Sequence, residues 1–238
     1  MNQDQTQAVS KADSWRMFDY ISPRYDLLNR VLSLGLDQGW RRKLNLFIGA
    51  QANQEVLDLA TGTGDVLLAL SRHSNVKTGV GVDLSDRMLA VGEAKIQRRE
   101  LDCRLRLQAA DIQHLPFADA SFDAATMAFG IRNVPDPRKV LREMFRVLKT
   151  GGRALILEFS LPSSWWFRFL YLFYLRKIVP AVGSLVSGHP EAYRYLNLTI
   201  EEFPCGRDFC VLMQENGFQR VEAHPMTFGI ATIYQGGK

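Results

Sequence analysis

Three cysteines in 238 residues, with no Cys-x-x-Cys spacing, leave neither a zinc site nor a disulfide framework to build. Reduced and mostly buried thiols in a cytosolic protein are the expectation from so few. The four histidines, His73, His114, His189 and His224, show no ligand spacing, so no metal is expected. No apolar run reaches the ~20 residues that cross a bilayer. The longest charge-free one in the most aromatic region is only Phe169 to Leu175. The opening MNQDQTQAVSKADSW has no apolar core of a secretory signal and reads as a short flexible tail. Twenty-nine Lys and Arg against 25 Asp and Glu give a net charge of only +4. No basic block stands out, so no nucleic-acid partner is expected.

What is present is a folded α/β chain. A 47% hydrophobic content with 23% charge is that of a soluble protein long enough for one well-filled core. Residues from about Trp15 to Phe47 read as helices, broken near Ser22-Pro23 and Gly35. From Glu55 the short apolar runs EVLDLA, TGVGVDL, CRLRLQAAD, FDAATMAFG and RALILEFS alternate with helical stretches. Those stretches are Gly64 to Arg72, Ser85 to Arg99 and Pro137 to Leu148. In the last, Val140, Leu141, Met144, Val147 and Leu148 make one apolar stripe, and Gly151-Gly152 are expected to stop the helix. This rhythm predicts a Rossmann-like, mostly parallel seven-stranded sheet with helices on both faces. It breaks after Ser160, and a helix near Gly206 to Asn216 with strands RVEAHPM and GIATIYQG then completes the sheet. The divisions are a tail and helical cap over 1–54, a core over 55–160, an aromatic-rich helical insertion over 161–205 and closing elements over 206–238.

The stretch VLDLATGTGDVLLAL places a glycine turn, Gly62-Thr63-Gly64, between the first strand and a helix opening near Asp65. In an open parallel sheet that turn is where a ligand sits, since glycine lets the backbone approach and the helix offers free N–H groups. Asp83 ends the second strand some 20 residues later, placed for ribose hydroxyls. Asp111 ends the third, placed for an adenine edge with Ile112 against the ring, and Ala128 ends the fourth at the same rim. A dinucleotide fingerprint would have glycine where Leu67 stands. Asp58 and Asp65 add negative charge that suits a cation better than a pyrophosphate. The reading is an S-adenosylmethionine site formed by Asp58, Gly62, Thr63, Gly64, Asp83, Asp111, Ile112 and Ala128.

The pattern LDLATGTGD, VDLS, AADIQHLPF and FDAATM resembles the class I S-adenosylmethionine-dependent methyltransferases. AFGIRNVPD after the fourth strand replaces the Asn/Asp-Pro-Pro-aromatic motif of enzymes that methylate nucleobase amines, and Pro204-Cys205 lies too late for a cytosine-5 nucleophile. YDLLNRVLSLGLDQGW, FGIRNVPD and RVLKTGGRALILEFS resemble the signatures of the ubiquinone/menaquinone biosynthesis C-methyltransferases, over nearly the whole chain from Phe18. Leu28, Asp37 and Thr150 depart from the family's usual Met, His and Pro.

That resemblance implies methylation of a ring carbon of a prenylated quinol, demethylmenaquinol first. A ubiquinone-pathway benzoquinol, or another small-molecule or sterol-type acceptor, is the alternative. Ring carbon becomes nucleophilic when an adjacent hydroxyl ionises, which at neutral pH costs a phenol roughly 4 kcal/mol. Arg132 is placed to stabilise the phenolate and Asn133 to orient the ring, unless Arg132 only neutralises surface acids. Tyr25 and Asp26 are expected to close over the site from the N-terminal helices, and Tyr193, Arg194 and Tyr195 from the insertion. Arg168, Arg176 and Lys177 among aromatics over 161–186 suit a segment lying on a membrane surface. The same segment could instead be covered by its own domain or by a second copy in a homodimer. The implied location is cytoplasmic, peripheral on the inner face of the cytoplasmic membrane.

Overall fold

The computed structural model describes residues 25–181 and 190–238, together with Lys11, Arg16, Asp19, Tyr20 and Ser22. Two N-terminal helices, α1 (Tyr25–Leu32) and α2 (Leu36–Lys43), are separated by Gly35, whose φ of 77° breaks the helix. The sheet then builds as β1 (Gln54–Leu59), α3 (Asp65–Leu70), β2 (Val76–Asp83), α4 (Asp86–Gln97), β3 (Leu105–Ala109) and β4 (Phe122–Ala128). α5 (Pro137–Val147), β5 (Leu148–Phe159), α6 (Trp165–Phe173), α7 (Pro190–Glu202), α8 (Arg207–Glu215), β6 (Gln219–Met226) and β7 (Ala231–Gly237) follow.

Strand order is β3-β2-β1-β4-β5-β7-β6. The first five strands run parallel, and β7 is antiparallel to both β5 and β6. Helices cover both faces, so Val56, Leu57 and Leu59 of β1 are fully buried. Each such side chain contributes about 1.5–3 kcal/mol by leaving water. From β1 the chain builds outward through β2 to β3 and then crosses back to place β4 on the other side of β1, and this reversal opens a crevice at the carboxyl ends of β1 and β4.

The helices begin where their caps dictate. Asp136 accepts from Arg138 N–H and Lys139 N–H ahead of Pro137, and Ser85 Oγ accepts from Met88 N–H at 3.2 Å. Arg146 of α5 reaches the carbonyls of Leu115 and Phe117, and Glu143 accepts from Leu115 N–H, so the charged edge of α5 holds the loop after β3.

Two expectations are corrected. Gly151 and Gly152 do not stop α5: the helix ends at Val147 and β5 starts at once, with both glycines inside it. They serve a register shift opposite Phe122 and Ala124, where a Cβ on Gly152 would sit 2.8 Å from the Lys149 carbonyl oxygen. The thiols are not mostly buried, because Cys103 is exposed and Cys205 and Cys210 are half-buried.

Candidate active site

Two cavities meet at the crevice. The first, about 310 Å³, is bounded by Gly62, Asp83, Met88, Asp111, Ile112 and Ala128, with Val134 and Leu84 adding apolar wall. The ends of β1, β2, β3 and β4 thus converge as the sequence predicts. Asp83 Oδ2 accepts from Gly62 N–H at 2.8 Å and Oδ1 from Ser85 N–H at 2.9 Å, so one carboxylate fixes the glycine turn and the start of α4. Burial pushes its pKa up against those bonds. Desolvation also acts on Asp111, but hydrogen bonds from Gln113 N–H and His114 outweigh it and hold that carboxyl below its usual range.

Asp58, Thr63 and Gly64 do not border this cavity. Alternation along β1 turns Asp58 under the turn, where it is 1% exposed. Its two oxygens accept from Thr61 Oγ1 and Thr126 Oγ1, each at 2.6 Å. Desolvation lifts its pKa to about 7. It therefore braces the turn from beneath instead of facing a ligand. Gly64 holds φ 76° behind the turn, packed toward Gly92.

Thr63 and Asp26 belong to a clasp. Lys95 Nζ lies 2.6 Å from Asp26 Oδ2 and 2.6 Å from Asp65 Oδ1, and Thr63 Oγ1 donates to Asp26 Oδ1 at 2.7 Å. Asp26 thus faces the glycine turn and borders neither cavity. The ammonium of Lys95 draws it onto the glycine turn, and that contact ties α1 to the first cavity.

The second cavity, about 320 Å³, is largely apolar, with walls from Trp40, Phe129, Phe159, Tyr171 and Leu175. Its mouth is formed by the exposed side chains of Leu34, Leu36, Phe167 and Leu170. Tyr25, Phe129 and Asn133 border both cavities and form the partition between them. Burial, opposed by the charges of Arg41 and Arg132, raises the Tyr25 pKa. Tyr195 lines the second cavity, while Tyr193 and Arg194 lie on α7 with side chains outside the described residues.

Arg132 lines the second cavity but is not a free cation at its rim. Its Nη1 donates to Glu158 Oε1 at 2.6 Å and to the Phe129 carbonyl at 2.7 Å, and the guanidinium sits 5.2 Å from the Phe159 ring centroid. The Nε–H has no acceptor among the described residues. Glu158 escaped the sequence reading, although an acid inside the apolar run ALILEFS is the mark of a buried, paired charge. A second pair was also missed. Asp37, the one carboxylate bordering this cavity among the described residues, is bound by Arg41 and accepts from Ser33 Oγ at 2.9 Å. Among the described residues no group of three or more His, Cys, Asp or Glu side chains could hold a metal ion.

Comparison with known proteins agrees with this geometry. The chain is 46% identical over 93% of its length to a Geotalea daltonii protein named ubiquinone/menaquinone biosynthesis C-methyltransferase UbiE, and covers 94% of that protein. It is 43% identical to the Thermus thermophilus demethylmenaquinone methyltransferase, over 93% of this chain and 100% of that one. Among solved structures, a putative S-adenosyl-L-methionine-dependent methyltransferase from Methanococcus maripaludis superposes with a TM-score of 0.63. That match covers 100% of this chain and 97% of the other, at 17% identity, and shows the shared fold. The model of the ubiE/COQ5 methyltransferase family matches residues 6–238, and this chain belongs to that family.

Proposed function

We propose that this chain methylates a ring carbon of a prenylated quinol, demethylmenaquinol in the first place, with S-adenosylmethionine as donor. The observation that carries the reading is the partition: among the described residues a cavity edged by carboxylates and an apolar cavity share only Tyr25, Phe129 and Asn133. The donor fits the first cavity, where Asp83 and Asp111 offer carboxylate oxygens beside the apolar Ile112 and Met88. When bound there it supplies an electrophilic methyl group. The names of the relatives cover both naphthoquinol and benzoquinol acceptors.

The chain's own residues account for the acceptor half. The aromatic walls exclude water, so charge developing on a ring oxygen meets fixed groups in a low-dielectric site. Arg132 keeps its Nε–H for that oxygen while Glu158 holds the guanidinium in place. Asn133, at the junction of the cavities, orients the ring, and Tyr25 closes the partition from α1. Asp37 is placed to take the hydroxyl proton, with Arg41 and Ser33 fixing its carboxylate.

The exposed apolar mouth suits a prenyl tail entering from a lipid surface. Trp165, Trp166 and Phe169 of α6 are 68%, 60% and 64% exposed, which their own domain leaves uncovered. No helix among the described residues is long and apolar enough to cross a membrane, so contact would be peripheral.

Incubation with methyl-labelled donor and either reduced demethylmenaquinone or a reduced prenyl benzoquinone tests the assignment. Label in the naphthoquinol ring is the expected result. Label only in the benzoquinol would move the acceptor to the alternative, and label in neither would overturn the reading.

A further inference from the structure

The face of α2 opposite Leu36 and Trp40 borders a separate cavity of about 190 Å³. Five arginines border it: Arg30 from α1, Arg41 and Arg42 from α2, Arg72 after α3 and Arg99 after α4, with the Arg41 guanidinium turned to Asp37 and the Phe129 ring. Among the described residues Asp65 is the one acid on its border, and its carboxylate is already committed to Lys95. Among the described residues Arg30, Arg42, Arg72 and Arg99 make no ion pair; Arg42 Nε donates to the Gln38 carbonyl at 3.3 Å, and the Gln38 side-chain amide, with its oxygen turned inward, accepts from Arg30. Arg41 lies buried at the edge of this group, fixed by Asp37.

Four exposed guanidiniums with no ion pair among the described residues stand around one small cavity, where water and salt weaken their repulsion and an anion that joins them would relieve it. A chain whose total excess is +4 has gathered a like excess at one spot, from segments up to 70 residues apart. Guanidinium forks match phosphate oxygens two at a time, which a lone ammonium cannot do. We propose that this cavity is an anion site for a phosphate-type oxyanion. A phospholipid headgroup and a free phosphate share that chemistry. The headgroup has support from position: exposed Leu34 lies in the turn between α1 and α2, at the mouth of the apolar cavity, and Arg30 and Arg42 of the same two helices border the basic one.

The test uses the full chain and the double variant Arg72→Ala/Arg99→Ala, both sites being exposed and outside the catalytic machinery. Inorganic phosphate is titrated at fixed ionic strength against chloride, with the arginine Nε–H resonances as readout. Saturable shifts in the wild type, and binding at least roughly tenfold weaker in the double variant, are expected. Sedimentation with phosphatidylcholine vesicles, with and without phosphatidylglycerol, separates the sources. Retention only on the anionic vesicles, reduced by roughly thirtyfold in the variant, assigns a headgroup. Phosphate binding without vesicle preference assigns a free anion. Wild type and variant binding both probes equally, or the wild type binding neither, overturns the site. An unchanged thermal midpoint and donor affinity in the variant show that the fold is intact, and Arg72→Glu alone gives an independent second variant expected to weaken binding in the same way.

Discussion

Arg132 Nη1 stands 2.6 Å from Glu158 Oε1, with the two side chains 5% and 0% exposed. Burial raises the Glu158 pKa, and the guanidinium opposes that rise. Arg132→Ala removes the cation and leaves the carboxyl stranded, which costs about 3–5 kcal/mol for a buried pair. Urea unfolding should show that loss, and Glu158→Ala added to Arg132→Ala should recover part of it. Turnover should fall strongly in the single variant while donor affinity stays nearly intact. A variant as stable and active as the parent would refute the pairing.

Asp58 makes stability depend on pH. Burial lifts its carboxyl to about 7 from an ordinary value near 4. Between those values the folded chain holds a proton that the unfolded chain has released, so stability falls as pH rises through the window. The contribution is on the order of 4 kcal/mol. Asp58→Asn is neutral throughout, and the difference in urea midpoint between parent and variant should change from about pH 4 to about pH 7. A pH-independent difference would rule the mechanism out.

Asp83 borders the first cavity and also holds the turn through Gly62 N–H. Asp83→Ala should weaken binding of S-adenosylmethionine by roughly 2–3 kcal/mol in calorimetry, the worth of charged hydrogen bonds. Unchanged affinity would mean that the donor does not lie against β2.

Gly92 lies inside α4, where alanine would ordinarily be favoured by about 1 kcal/mol. Here a Cβ would stand 2.5 Å from Leu107 Cδ1 and 3.1 Å from the Thr63 carbonyl carbon. Crowding against the backbone of the glycine turn should win, at about 1–3 kcal/mol. Gly92→Ala is therefore expected to lower the thermal midpoint and to weaken donor binding together. A stabilised variant would show that α4 moves freely from the turn.

The aromatic face of α6 can be read by sedimentation. Trp165 and Trp166 are exposed, with ring centroids 4.4 Å apart. Replacing both by Ser should lower binding to phosphatidylglycerol vesicles and raise the apparent KM for a long-chain quinol, but not for a short-chain one. Equal KM changes for the two acceptors would remove the surface role.

Local pattern alone determined the alternation of strands and helices, the turn at Gly62 and the carboxylates at Asp83 and Asp111. Each depends on residues a few positions apart: apolar period, glycine freedom and an acid at a strand end. Sequence distance hid the rest. Glu158 meets Arg132 because β5 lies beside β4, and Lys95 gathers Asp26 and Asp65 because α4 packs over the glycine turn. Sheet order and helix packing set those meetings, and a charge turned away from water takes whichever partner the fold brings within reach. For that reason Asp58 and Asp26, readable as acids near a site, became a brace and a clasp only once the chain had closed around them.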